Sequence, residues 1–231
     1  MKLDLHVHSA ASADGIMEIS EIVSLAKARG LDGVAICDHD VFYSGDTYGG
    51  YVIRGCEYST EYGHLLALGI DSDVKADSFG ALVEGIRRAG GIAVLAHPYE
   101  HLKYKDKVEE IAHLLDGVEV YNSRAERKNK DATEMALDYA LRHDLPIYGG
   151  SDAHTPAEVG NAFTVTDDIK AGGNTVHGRP APALATAKSQ RVKLKKNGGS
   201  YIKWTAFAAK CLLQDIFTGK DKEYVTYSKD R

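Results

Sequence analysis

Nine side chains able to ligate a metal ion, His6, His8, Asp14, His39, Glu57, His64, His97, Asp152 and His154, each stand at the edge of an apolar run. Two pairs have i, i+2 spacing, in Leu5-His6-Val7-His8 and Ser151-Asp152-Ala153-His154. Side chains alternate faces along a strand, so each such pair projects two ligands to one side. A fold that scattered these groups would place polar atoms beside apolar strands without partners, at a desolvation cost for each. The chain is therefore constrained to bring its strand ends together. Imidazoles and carboxylates suit Zn, Mn or Fe, and nine donors exceed what one ion uses. The pattern implies a multinuclear metal site and, with it, hydrolytic chemistry.

Short apolar runs alternate with helical periods along the first 150 positions. Residues 2–8 read as a strand, then 17–29 as a helix with Ile19, Ile22, Val23 and Ala26 on one face and Gly30 closing it. Strands follow at 33–37 and 51–57, then a helix at 78–89 and a strand at 92–96. A helix at 107–115, a strand at 117–121, a helix at 131–143 and a strand at 145–149 complete the series. This rhythm predicts a mostly parallel sheet curled into a barrel or nearly so. Catalytic groups in such barrels gather at the C-terminal strand ends, where His8, His39, Glu57, His97 and Asp152 fall. His64 instead precedes its apolar run, which a hairpin through 58–63 would resolve by returning it to Glu57. Beyond Thr166 the pattern weakens: 171–174 reads as a mobile loop, 179–182 as a rigid extended piece and 201–217 as a final helix. The basic stretch through Arg191, Lys193, Lys195 and Lys196 alternates with Val192 and Leu194 and reads as a solvated face.

At 231 residues, 44% hydrophobic and 26% charged, the chain can bury one substantial core. One domain is expected over 1–231, a motif-bearing barrel through 166 with 167–231 packing on it as an extension. The net charge of -5 gives no electrostatic reason for nonspecific nucleic-acid binding, although metal ions can supply positive charge locally to a nucleotide. Cys37, Cys56 and Cys211 form no CxxC pair and read as buried, reduced thiols. No apolar run approaches bilayer-spanning length and no signal-peptide pattern precedes the first strand, so a cytoplasmic location without membrane contact is expected. His101, His113, His143 and His177 are assigned to surface or structural roles.

Taken in order, LDLHVHS (3–9), Cys37-Asp38-His39-Asp40, Glu57 with His64, Ala96-His97-Pro98 and GSDAH (150–154) resemble the successive motifs of the polymerase and histidinol phosphatase (PHP) family. The resemblance runs from residue 1 to about residue 166, with a weaker echo of the family's C-terminal extension. It implies a distorted (β/α)7 barrel with two or three divalent transition-metal ions. Carried onto this chain, His6, His8, Glu57 and Asp152 would hold a first ion. Glu57 would bridge to a second held by His64 and His97, while Asp14, His39 and His154 would hold a third. A carboxylate at Asp14 favours a harder ion such as Mn or Fe there.

Such a centre would lower the pKa of a bound water and polarise a phosphoryl group, so no Ser or Cys nucleophile is needed. Metal-bound water, Asp40 or His154 could protonate the leaving oxygen, metal-bound water ranking first because the side chains are occupied. Arg124, Asn122 and Arg179 are candidates to bind or orient a phosphorylated substrate. The expected activity is phosphomonoester hydrolysis on a small metabolite or nucleotide. An exonuclease-like phosphodiesterase acting on nucleic-acid ends and a non-catalytic metal-binding domain are the alternatives. Residues 41–50 are too few for a crossover helix with its turns. An open site beside His39 is therefore expected, gated at most by this loop, with Tyr43 or Tyr48 available to stack on a substrate ring.

Overall fold

The computed structural model describes residues 1–173, 175–181 and 225–228. Strand β1 (Lys2–Val7) is buried along its length after Lys2, and the amphipathic helix α1 (Ile19–Ala28) turns Ile22, Val23 and Ala26 inward. Gly30, at φ +71, makes the left-handed turn that ends α1. Strands β2 (Gly33–Ile36) and β3 (Val52–Thr60) then join β1 in a parallel set. Strand β4 (Gly63–Leu68) runs antiparallel to β3, as the hairpin expected from His64 requires. The turn is tighter than expected, because β3 continues to Thr60 and pairs it with Gly63.

Helix α2 (Phe79–Arg88) is capped by Ser78, whose side chain accepts from the Ala81 amide. Strand β5 (Ile92–Ala96) pairs antiparallel with β4, opposing His64 to Ala96. The helix expected at 107–115 is a single turn, α3 (Val108–Ile111), continued as a 3-10 turn. Strand β6 (Gly117–Asn122), helices α4 (Ala125–Lys128) and α5 (Ala132–Arg142) and strand β7 (Ile147–Gly150) complete the parallel set β5–β6–β7. The last strand starts later than expected because Leu145 and Pro146 belong to the turn, the Leu145 amide donating to Ala140.

Closure comes from the residues after β7. Ala153 bridges to Val7 in parallel register, and the His8 amide donates to Ala153 O at 2.8 Å. The Ser151 amide and hydroxyl both donate to the buried Asp4 carboxylate, at 2.9 and 2.6 Å. The C-terminal end of β1 thus meets the 151–153 segment, whereas its N-terminal end pairs with β8 (Ala162–Val165). Strands β9 (Thr175–Gly178) and β10 (Val225–Ser228) extend that edge in antiparallel fashion, giving the order β10-β9-β8-β1-β2-β3-β4-β5-β6-β7. The antiparallel strand β4 between β3 and β5, and the antiparallel pairing of β8 with the N-terminal end of β1, are what distort the barrel.

Strands β8, β9 and β10 are absent from the sequence reading, being four residues each. The segment expected to be a mobile loop is fastened: the Gly173 amide donates to Ile147 O and the Thr166 hydroxyl to Gly172 O. The helix expected at 201–217, the basic stretch through Lys196, and Cys211 lie outside the described residues. Residues 41–50 contain no helix, as their number requires. Tyr43 packs inward and its hydroxyl donates to Asp46 O, while Tyr48 is 39% exposed. No described helix is long and apolar enough to cross a membrane.

Candidate metal centre

The strand ends place Glu57 at the middle of a ring of imidazoles. Its Oε2 lies 2.8 Å from His39 Nδ1, 3.3 Å from His8 Nε2 and 3.4 Å from His6 Nε2. Its Oε1 lies 2.9 Å from His64 Nδ1 and 3.0 Å from His97 Nε2. The β3–β4 hairpin delivers His64, and the β4–β5 register sets it beside His97. Asp152 approaches from the closing segment, 3.2 Å from His8 Nε2 and 3.7 Å from His6 Nε2. Asp14 lies 3.2 Å from His154 Nε2 and 3.7 Å from His39 Nε2. All nine side chains singled out by their spacing meet here.

The donor chemistry fits cations. Two imidazole nitrogens, His6 Nε2 and His8 Nε2, face each other at 3.1 Å. Asp14 Oδ1, Glu57 Oε2, His64 Nδ1 and His154 Nε2 are buried with no hydrogen bond of acceptable geometry, although each has a neighbour of the cluster close by. Buried polar atoms are normally satisfied, and a lone pair aimed at shared space is what an ion requires. Ligand atoms lie within 4.8 Å of one another in the groups His6/His8/Glu57, His39/Glu57/His64, His8/His39/His154 and His6/His97/Asp152. These overlap the three sets implied by the family resemblance, but His97 groups with His6 and Asp152, and His39 also with Glu57 and His64.

Burial alone would push the carboxyls of Glu57 and Asp152 up; the imidazoles around them, His6 foremost, hold both well below the usual range. Asp14 is likewise held down against its burial, by His154 and then His39 and His8. Burial, with His154 and His39 alongside, pushes His8 down and keeps it neutral, the form that ligates. The site is also where backbone strain collects: Asp40, His97 and Asp152 adopt φ of 55°, 29° and 53°.

A second layer orients the rings. Ser12 Oγ lies 3.1 Å from His8 Nδ1 and accepts from the His39 amide. Glu100 lies 3.3 Å from His97 Nδ1 and also pairs with Lys128. Glu119 lies 3.0 Å from His6 Nδ1. Asp38 anchors the loop after β1 through the Ser9 amide and hydroxyl, both at 2.7 Å. Ser12, Glu100 and Glu119 were not singled out from the sequence, whereas Asp38 was, within the motif around His39. Glu119 and Asp4, acids buried within the apolar strands β6 and β1, carry the signal that could have found them, since burial of such a group demands partners.

The candidates for substrate and proton roles are placed otherwise. Both carboxylate oxygens of Asp40 accept from Ser59, at 2.8 Å each. Arg124 is 3% exposed, with Nη1 3.0 Å from Glu158 Oε1. Glu158 also accepts from the amides of His154 and Thr155, so this pair holds the loop bearing Asp152 and His154. Asn122 Oδ1 accepts from the Arg124 and Ala125 amides, and its Nδ2 donates to Glu119. Arg179 Nε donates to Asn161 Oδ1. Of the histidines assigned elsewhere, His101 and His113 are exposed, His143 pairs with Glu109, and His177 stacks on Phe163.

A distorted barrel with an imidazole–carboxylate cluster at its strand ends is a scaffold able to hold metal ions. The PHP domain model matches residues 4–140, and a PHP-associated model matches 130–172. The chain belongs to the PHP family. An uncharacterized protein of Methanocaldococcus jannaschii is 32% identical over 166 residues, covering 63% of this chain and 94% of that one. A 5'-3' exoribonuclease of Haemophilus influenzae is 37% identical over 81 residues, only 30% of this chain and 29% of its own. Among solved structures, a two-domain protein of Bacteroides vulgatus containing a predicted PHP-like metal-dependent phosphoesterase matches with a TM-score of 0.59. It is 16% identical, and the match covers 85% of this chain and 69% of that one.

Proposed function

We propose that this chain is a metal-dependent phosphoesterase that hydrolyses phosphomonoesters of a small metabolite or nucleotide. The observation that carries the reading is Glu57, 0% exposed, with five imidazoles within 3.4 Å of its two oxygens. In this reading His6, His8, Glu57 and Asp152 hold one ion. Glu57 is shared with a second ion held by His64 and His97, and Asp14, His39 and His154 hold a third. Clustered divalent ions of Mn, Fe or Zn, when bound, supply Lewis acidity that activates water and neutralises phosphoryl charge. The chain's own part is to fix the ligands and to keep competing side chains away. Asp40, turned onto Ser59, braces the strand end beside His39; His154 is the candidate nearer to the reacting centre. Arg124 acts by holding the Asp152–His154 loop, and the loop at 41–50 runs back along β3 from Glu57 toward Val52 with no helix over His39, which puts Tyr48 at the strand end away from the metals.

The short likeness to an exoribonuclease favours a second reading, cleavage of phosphodiesters at nucleic-acid ends. Protein stripped by chelation and reloaded with Mn or Zn is assayed on p-nitrophenyl phosphate, nucleoside monophosphates and 5'-phosphorylated oligoribonucleotides. Phosphate release from several monoesters, with oligonucleotides left at full length, is the expected result. Oligonucleotide shortening without monoester turnover overturns it in favour of the second reading.

A further inference from the structure

Glu119 lies in the middle of β6, 1% exposed, with three donors from three strand ends on its two oxygens. Its Oε1 lies 3.0 Å from His6 Nδ1 on β1. Its Oε2 accepts from the His97 amide, just past β5, and from Asn122 Nδ2, both at 3.0 Å. The Asn122 amide cannot turn round to suit a different partner. Its Oδ1 already accepts from the backbone amides of Arg124 and Ala125, at 3.0 and 2.9 Å, so Nδ2 must face Glu119. The His97 amide is a donor by nature. A carboxylate only accepts, so the hydrogen on the His6 side belongs on Nδ1, which lies nearer to Glu119 Oε1, at 3.0 Å, than to Asn122 Nδ2, at 3.5 Å. That leaves His6 Nε2, 3.1 Å from His8 Nε2 and 3.4 Å from Glu57 Oε2, as the nitrogen with a lone pair for the cluster.

We propose that Glu119 is a positioning residue of the metal centre: it fixes the His6 tautomer that presents Nε2 to the ions and ties that ring to the backbone at His97. The inference rests on the reading of His6 as a ligand. Charge and shape distinguish it from a merely structural acid. In E119Q, an amide oxygen turned to His6 leaves the NH2 group facing two donors. Turned the other way, the NH2 faces His6 Nδ1 and drives the ring proton to Nε2, removing the ligating lone pair. Neither orientation satisfies all the partners that the carboxylate satisfies, and the volume is unchanged.

Full-length protein with 15N-labelled histidines is loaded with zinc, and long-range proton–nitrogen spectra show which His6 nitrogen is protonated. Zinc affinity is measured by chelator competition for the parent, E119Q and E109Q, the last neutralising an exposed carboxylate paired with Arg142. The parent should show a protonated Nδ1 and a metal-bound Nε2 at His6. E119Q should bind zinc about 10–100-fold more weakly, as expected when the outer partner of a ligating histidine is lost. E109Q should bind as the parent does. Parental affinity in folded E119Q, or a parent spectrum with His6 protonated on Nε2, overturns the inference alone. If E119Q fails to fold, the parent spectrum decides. Failure of the parent to bind zinc at all would instead remove the metal-centre reading, and this inference with it.

Discussion

Replacing Glu158 by alanine tests how the Asp152–His154 loop is held. Glu158 is 0% exposed and accepts from Arg124 Nη1, the His154 amide, and the Thr155 amide and hydroxyl, each at 3.0 Å. An exposed pair of this kind is worth about 0–1 kcal/mol, because water screens it. Here both side chains are buried, and Glu158→Ala takes from the guanidinium one fully buried carboxylate partner, a loss of up to about 3–5 kcal/mol. Water entering the space left behind can re-satisfy the freed amides, so their separate costs are not added. Against a total stability of about 5–15 kcal/mol, this is a large fraction. Urea unfolding followed by circular dichroism should show a lower midpoint at unchanged slope. The double substitution Arg124→Met/Glu158→Leu should recover part of the loss, since it leaves neither charge buried. A loss below about 1 kcal/mol for Glu158→Ala would show that the pair behaves like a surface bridge, and the reasoning from burial would be refuted. A raised KM for Arg124→Met with stability intact would place Arg124 on the substrate instead.

Glu57→Gln should lower activity at least about 100-fold, more than Asp14→Asn, because Glu57 is surrounded by five imidazoles whereas Asp14 meets two; equal losses in equally folded variants contradict the shared-ligand assignment. Gly150→Ala would set a Cβ 2.4 Å from His6 Cβ and 2.8 Å from His6 N. It should cost about 1–3 kcal/mol through overpacking and lower metal content, and a variant with parental stability and metal content refutes the close approach. Burial pushes the thiols of Cys37 and Cys56 up, the latter to about 12. Raised pKa values keep both protonated at neutral pH, so neither should react with a thiol reagent in the folded protein and both should react after unfolding. Labelling of either thiol in folded protein contradicts their placement.

The site was more legible than the fold around it. Strand-end histidines and acids are visible because a polar residue beside an apolar run is costly unless it has a use, and the i, i+2 pairs reveal direction as well as place. His64 gave away the hairpin because only an antiparallel return could bring it to Glu57. The outer partners were not visible for the opposite reason. Ser12, Glu100 and Glu158 lie in loops, where an isolated polar residue is ordinary, and they acquire meaning only through contacts across the sequence. The three late strands are short and pair with β1 or with one another, so register rather than local pattern defines them. Arg124 was legible as a cation at a strand end, but its partner, Glu158, lies 34 residues away.

The central claim is that these nine side chains form one centre for several ions and that the ions carry the activity. Elemental analysis of the purified chain, followed by stepwise chelation with phosphomonoester turnover measured at each metal content, tests it most directly. The account predicts two or three transition-metal ions per chain at full activity, loss of turnover on chelation, and recovery with Mn or Zn. Full activity with one ion or none would contradict it.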